Sequence, residues 1–574
     1  MLQGAELCET AEKQGIAPAE AEQLCRELGE SSGPRIDRIL SQFGPALSPS
    51  GDFALGYTLT VPLLRYFTQA NGEWKFDQER LAHTLSSIEA VNRPVVVYLF
   101  STHFAADENP ASLEQTLADD PANLMMFSDG RPAQDTYFQT TINPWTIADM
   151  NAPINQYREQ GLKQALDALC ALPDEARQRI VGINLLGEVH HFFPNFFSGM
   201  GYETGMNSTD YGPASVAAFQ QFLREKFGSI YSANRALQTT FPSFEAIRPP
   251  SKDIRTEGLS DFTEHLDPYA HGTFPVGGWA SGETPPFIRV YLNGAEVAAG
   301  PATAGRQDVL EAKPELGTAN VGFRFDVPFQ DQPPGIHRLV VEGSVNGSTY
   351  TIADQRIIIM SRDQAAPSQI PSHPLPVSPV IVGAAPFSAW LDMPQAEQSF
   401  FYNPLADLWL QFRNKQVADY VEHFASVAGE SCFGRETLFS HQIAPRFNAS
   451  WNADLIAVDQ ALKPSPLHGL GINLYGGAAY GDTFFEWQAQ HGHTRYGVPE
   501  FHTMRAMSPE AIADMFERHK ASGAAYIAPY FVMLTPETFF SETDTSHRRF
   551  MISPANDEYG SSSLFRGIQE LMKR

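Results

Sequence analysis

The chain has 574 residues, with 40 Lys and Arg against 66 Asp and Glu, a formal charge of −26 with His neutral. So acidic a balance lacks the basic face that a phosphate-tracking protein needs; it excludes nucleic acid and anionic membranes as partners and favours a neutral ligand. Hydrophobic residues make up 43% and aromatics 11%, enough for a sizeable core, so wholesale disorder is excluded and there is room for an α/β barrel plus a smaller domain.

Residues 1–50 read as a helical hairpin and lead-in. Two short helices flank the turn Gly15-Ile16-Ala17-Pro18, and their antiparallel packing would bring Cys8 near Cys25. A disulfide there would place the chain in a periplasmic or secreted setting, and two buried thiols in the cytoplasm. Cys170 and Cys432 read as core thiols. The N-terminus lacks the charged-then-apolar pattern of a leader, and no run approaches the roughly 18 apolar residues of a membrane span, so no membrane span is expected.

From 51 to 265 apolar β-branched runs alternate with helical stretches. Strand candidates are Phe53–Val61, Pro94–Phe100, a weaker Thr136–Ile142 and Ile180–Phe192, with helices at Asp77–Ala90 and Ile154–Ala171. Near-continuous apolar strands alternating with helices indicate a parallel sheet covered by helices. The pattern then changes. Residues 266–361 alternate apolar with polar in short runs, with hairpin turns at Asn293-Gly294 and Asn346-Gly347, which reads as a β-sandwich. A Pro-rich connection covers 362–384. Barrel-like alternation resumes over 385–574, with a helix at Pro404–Ala428, strand candidates starting at Glu436, Leu470, Tyr496 and Gly523, and a helix at Pro509–Ser522. Four strands on either side of the sandwich give the expected fold: an α/β (β/α)8 TIM barrel with an inserted all-β sandwich and an N-terminal helical hairpin.

In such barrels the chemistry sits at the C-terminal ends of the strands. In order, those ends present His103, Asn143 with Trp145, Glu188 with His190 and His191, His441 with Gln442, Tyr475, Glu500 with His502, and Tyr530. Asn448, Trp451 and Asn452 lie in the loop after the fifth strand, where indole and amide groups suit a sugar. Two carboxylates stand at strand ends, Glu188 on the fourth and Glu500 on the seventh. Paired carboxyls across a barrel mouth are what retaining glycoside hydrolysis requires, one protonated to donate to the leaving oxygen and the other ionised to attack. Glu188 is read as the acid/base and Glu500 as the nucleophile, the other strand-end and loop residues as substrate contacts. His190 and His191 are adjacent on a strand and point to opposite faces, so no metal and no cofactor is expected.

The segment Tyr211–Pro250 resembles the region after the acid/base in family 42 β-galactosidases of glycoside hydrolase clan A, through Phe222-Leu223-Arg224, Phe227-Gly228-Ser229, Asn234, Thr240-Phe241, Phe244, Ile247 and Pro249. Pro404–Phe424 resembles that family's following helix. The likeness is close over about 60 residues and topological elsewhere. It implies a clan A barrel acting on a β-linked carbohydrate. Clan members usually carry Asn before the acid/base, where it binds the sugar 2-hydroxyl; Gly187 stands there. Either a histidine replaces that contact, or the sugar differs at C2, or the site is not catalytic. The sandwich resembles immunoglobulin-like modules of bacterial carbohydrate-active proteins through Gly278-Trp279-Ala280, Arg306–Val309 and Gly335–Val341.

The expected function is a retaining glycoside hydrolase on β-linked oligo- or polysaccharide, a β-galactoside or a bacterial exopolysaccharide among them. The alternative is a non-catalytic glycan-binding or polysaccharide-assembly protein on a hydrolase-derived barrel. The sequence sets no oligomeric state.

Overall fold

The computed structural model describes residues 2–3, 33–101, 112–137, 140–142, 144–191, 208–370, 385–394, 399–447, 453–533 and 548–574. Cys8 and Cys25 lie outside them. The chain divides into two units, one of Met1–Met200, Asn414–Tyr480 and Phe484–Arg574, the other of Gly201–Arg413 and Gly481–Thr483.

The first unit is built on parallel strands. β1 (Tyr57–Pro62), β2 (Val95–Phe100), β3 (Ile180–Leu186) and β4 (Leu438–Phe439) pair in that order, all parallel. Parallel bridges at Phe439 and Gln442 continue the ladder onto the segment carrying β5 (Leu470–Gly471) and β6 (Leu474–Tyr475). Both pair with β7 (Tyr496–His502), and β7 with β8 (Ala524–Pro529). With β5 and β6 as two pieces of one strand, seven parallel strands follow chain order. No pairing of β8 with β1 occurs among the described residues, so a closed barrel is not shown. The sheet does curl. Tyr526 of β8 reaches Asn184 of β3, to which its hydroxyl donates. Gly497 leaves it room, since a Cβ there would lie 2.4 Å from the ring.

The strand expected at Thr136–Ile142 is not in this sheet. Asp135–Tyr137 and Thr140–Ile142 form an antiparallel hairpin, and β2 pairs directly with β3. The reason is compositional. A strand buried on both faces needs a near-continuous apolar run, as in Val95-Val96-Val97-Tyr98-Leu99, whereas Gln139-Thr140-Thr141 is polar.

Helices flank the strands. α1 (Gln78–Ala90) starts at Asp77, whose carboxylate accepts the Arg80 N–H at 3.0 Å. α2 (Pro153–Cys170) buries Ile154, Leu162, Leu166 and Leu169. α5 (Pro509–Ala521) has Ser508 as its cap and Pro at its first position. Cys170 and Cys432, read from sequence as thiols, form a disulfide with Cα atoms 5.9 Å apart. It joins the end of α2 to the segment following α4 (Pro404–Gly429), across 262 residues of chain. Among the described residues no helix is long and apolar enough to cross a membrane.

The second unit contains α3 (Pro213–Phe227), whose Phe219 and Leu223 pack on Leu405, Trp409 and Phe412, and two mainly antiparallel sheets of five and four strands. The sheets share one core, Phe274, Val276 and Val327 of one facing Ile288, Val290, Leu339 and Val341 of the other. Gly335–Val345 shows the expected alternation, every second side chain buried from His337 onward. Asn293-Gly294 and Asn346-Gly347 both hold positive φ, 52° and 85°, and 51° and 79°, the twist that a two-residue hairpin turn requires. Phe387–Met393 and Ser399–Phe400, read from sequence with the second half of the barrel, pair in these sheets instead. Phe387, Ala389 and Leu391 alternate inward, filling the sandwich core.

Candidate active site

At the C-terminal ends of β3, β4 and β7, within the first unit, two carboxyl groups and an imidazole converge. Glu188, His441 and Glu500 each offer one atom within 4.8 Å of the others. Glu188 is aimed by a backbone kink, since Leu186 and Gly187 have φ of 62° and 93° and the Gly187 N–H donates to the Leu185 carbonyl at 2.7 Å. A φ of 93° is glycine territory, which gives Gly187 a backbone reason for standing before the glutamate.

The segment ending in β6 supplies one donor to each carboxyl. Asn473 Nδ2 donates to Glu188 Oε1 at 2.6 Å, and the Tyr475 hydroxyl donates to Glu500 Oε2 at 2.7 Å. Residues two apart on an extended segment share a face, so one geometry serves both. His441 Nε2 lies 3.4 Å from Glu500 Oε1, and its ring packs on Tyr98 with centroids 4.5 Å apart. Tyr98, His441 and Asn473 are buried, while both glutamates keep a partial opening to solvent.

The partners make the carboxyls unlike. Burial first, and the Glu500 charge second, push Glu188 up to about 8, against the opposing Asn473 donor, a shift that favours its neutral form. Glu500 accepts from a phenol and faces an imidazole. Burial, with the carboxylate charges added, holds Tyr98 and Tyr475 well above the usual phenol range, so both stay neutral donors.

Among the described residues Glu188, His441 and Glu500 are the one set of three ligand types brought so close. A tetrahedral zinc with bonds of about 2.1 Å would hold its ligand atoms roughly 3.4 Å apart. The 3.4 Å between His441 and Glu500 matches that, and the three atoms together lie within 4.8 Å of one another.

The remaining sequence candidates scatter. Tyr530 joins the wall, its ring 6.2 Å from Tyr475 and its N–H donating to the Phe501 carbonyl at 2.9 Å. His502 is turned into the structure: its Nδ1 accepts the Met504 N–H at 3.0 Å, Nε2 donates to Ser561 Oγ at 3.1 Å, and burial lowers it to about 4. His190 is buried, donates from Nδ1 to the His191 carbonyl at 2.8 Å and is lowered to about 4 by burial. His191 is buried, its N–H on the Ile456 carbonyl at 3.0 Å. Gln442 is fully buried beside His441. Trp145 is 2% exposed in an apolar cluster with Leu64, Phe67, Leu124 and Ile154, a core position rather than a sugar platform. His103, Asn143, Asn448, Trp451 and Asn452 lie outside the described residues. Asn473 and Tyr98 belong to the site without having been singled out. The signal for Asn473 was its place two residues before Tyr475, and for Tyr98 its polar group within an otherwise apolar strand.

No protein-family profile matches the chain, and no curated protein matches it. Similar solved structures include the β-galactosidase of the psychrophilic Marinomonas ef1, at 10% identity and a TM-score of 0.45, covering 93% of this chain and 56% of that one. Another is the polyextremophilic β-galactosidase of the Antarctic haloarchaeon Halorubrum lacusprofundi, at 10% identity, a TM-score of 0.42, and 92% and 56% coverage. The catalytic domain of a β-amylase from Paenibacillus polymyxa gives 10% identity, a TM-score of 0.42, and 90% and 92% coverage. The chain thus spans 56% of the length of either β-galactosidase chain.

Proposed function

We propose that the protein is a retaining glycoside hydrolase acting on a β-linked oligo- or polysaccharide, with Glu188 as acid/base and Glu500 as nucleophile. One observation carries the reading: two carboxyls with oxygens within 4.8 Å, Glu188 bonded by the Asn473 amide and Glu500 by the Tyr475 phenol. Retaining chemistry needs a separation of about 5–5.5 Å between the groups and opposite protonation states. An inverting pair at roughly 6.5–9.5 Å would leave room for a water between them.

In the proposed reaction a Glu500 oxygen forms a bond to the anomeric carbon as the glycosidic C–O bond breaks. The Glu188 proton passes to the departing oxygen, leaving Glu188 ionised. Water then enters, gives a proton to Glu188 and attacks the same carbon, and the Glu500–sugar bond breaks. The Tyr475 hydroxyl orients the Glu500 oxygen, and Asn473 leaves the proton of Glu188 on Oε2 by donating to Oε1. Support for a carbohydrate substrate comes from the family 42 likeness of Tyr211–Pro250. The immunoglobulin-like assignment of the sandwich rests likewise on its sequence likeness. A periplasmic or secreted location is proposed from the Cys170–Cys432 disulfide, a bond that persists in oxidising compartments.

The test is a panel of aryl β-glycosides differing in sugar and leaving group. Glu500→Ala should abolish turnover, with azide restoring it as a substitute nucleophile; Glu188→Ala should spare activated aryl substrates and lose natural linkages. A wild type that binds glycans but cleaves none would replace the hydrolase with a binding protein.

A further inference from the structure

One buried charge in the first unit has no part in the chemistry above. Arg158, on α2, is 5% exposed, and among the described residues no carboxylate pairs with it. Its Nε donates to the Ser101 carbonyl at 2.9 Å, and a second N–H reaches the same oxygen. Nη1 donates to the Tyr420 hydroxyl at 2.8 Å and to Asn155 Oδ1 at 3.4 Å. Tyr420 in turn donates to Asn155 Oδ1 at 2.6 Å, and the Asn155 amide donates to the carbonyls of Thr146 and Asp149. A guanidinium taken out of water onto neutral acceptors alone is an expensive arrangement, and a well-packed apolar side chain would serve stability better.

What the charge holds is the end of β2. Ser101 follows that strand directly, and its N–H donates to the Leu186 carbonyl at 2.9 Å. Leu186 and Gly187 form the positive-φ kink that precedes Glu188. Ser101 is therefore gripped at its carbonyl by Arg158 while its N–H pins the kink. Charge-assisted bonds are roughly twice as strong as neutral ones, and two from one rigid fork fix the orientation of the carbonyl.

We propose that Arg158 is a positioning residue, clamping Ser101 so that the Leu186–Gly187 kink presents the acid Glu188 at the angle its proton transfer needs. The catalytic consequence rests on the hydrolase reading; the clamp does not.

The test uses the full chain and the 2,4-dinitrophenyl and phenyl β-glycosides of whichever sugar the wild type cleaves. Arg158→Met should lower kcat on the phenyl glycoside at least about tenfold more than on the dinitrophenyl glycoside, because general-acid help matters only for the poor leaving group. Arg158→Lys should recover part of that difference. Equal losses on the two substrates would mark a merely structural role and overturn the proposal. Exchange of the Ser101 amide gives a readout free of activity: about tenfold faster exchange in Arg158→Met is expected, and unchanged protection in a folded variant would refute the clamp. If neither substitution at 158 folds, Tyr420→Phe, which removes one partner of the fork, should show the same leaving-group asymmetry more weakly, and its absence there counts equally against the proposal. A wild type that cleaves no aryl glycoside would defeat the hydrolase reading, and the Ser101 exchange would still decide the clamp.

Discussion

The difference between the two glutamates can be reversed in part by one substitution. Glu500→Gln keeps shape and removes the charge that, after burial, is the second cause of the raised Glu188. The two carboxyls have oxygens within 4.8 Å; unit charges about 5 Å apart in a medium of effective dielectric about 20 interact by about 3.3 kcal/mol, equivalent to about 2.4 pH units. Burial is the larger cause and remains, as does the Asn473 donor, so the Glu188 titration should fall by about 2 pH units and still end above the ordinary glutamate near 4.3. The measurement is carbon-13 NMR titration of carboxyl-labelled glutamate, with Glu188→Gln assigning the resonance. Because Glu188 interacts with its neighbour Glu500, the raised step seen in the wild type belongs to the pair as a whole. A wild-type Glu188 titrating near 4.3, or a raised step unmoved by Glu500→Gln, would refute the electrostatic reasoning.

Other consequences are as concrete. A carboxyl raised in the folded state stabilises fully below its unfolded pKa and loses that contribution as pH rises toward about 8; Glu188→Gln should therefore raise Tm more at pH 8 than at pH 5, and an equal rise at both would contradict the raised Glu188. Tyr475→Phe removes the donor to Glu500, a bond to a charged group worth about 1.5–3 kcal/mol, so kcat should fall roughly 10–100-fold with KM little changed. Cys170→Ser should cost about 2–4 kcal/mol in denaturant unfolding, and peptide mapping of unreduced protein should join Cys170 to Cys432. Gly497→Ala should destabilise by about 1–3 kcal/mol, because its Cβ would meet the Tyr526 ring at 2.4 Å; a stability equal to wild type would show that the ring can move aside.

What the sequence made legible follows from range. Val95–Leu99 and, but for Asn184, Ile180–Leu186 declare themselves because a strand buried on both faces is a near-continuous apolar run, and the Asn-Gly turns because few other residue pairs accept positive φ twice. Thr136–Ile142 carries the β-branched residues of a strand without the apolar continuity, and a local pattern cannot tell a hairpin from a buried strand. Phe387–Met393 alternates clearly enough to be a strand, but alternation does not say which sheet receives it. The Cys170–Cys432 bond spans 262 residues, beyond any spacing rule. Asn473 was within reach, since period two puts it beside Tyr475. Arg158 was not: on α2 it reads as one more polar helix residue, and only the tertiary packing shows it buried against Ser101.

The account's central claim is that Glu500 forms a bond to the sugar. A 2-deoxy-2-fluoro β-glycoside with a dinitrophenyl leaving group should inactivate the wild type, because fluorine slows release of the intermediate more than the activated leaving group slows its formation. Mass spectrometry of the peptic digest should then find one sugar on the peptide containing Glu500, and none in Glu500→Gln. A wild type that turns over the parent glycoside with inversion at the anomeric carbon, or that carries the label on Glu188, would contradict it.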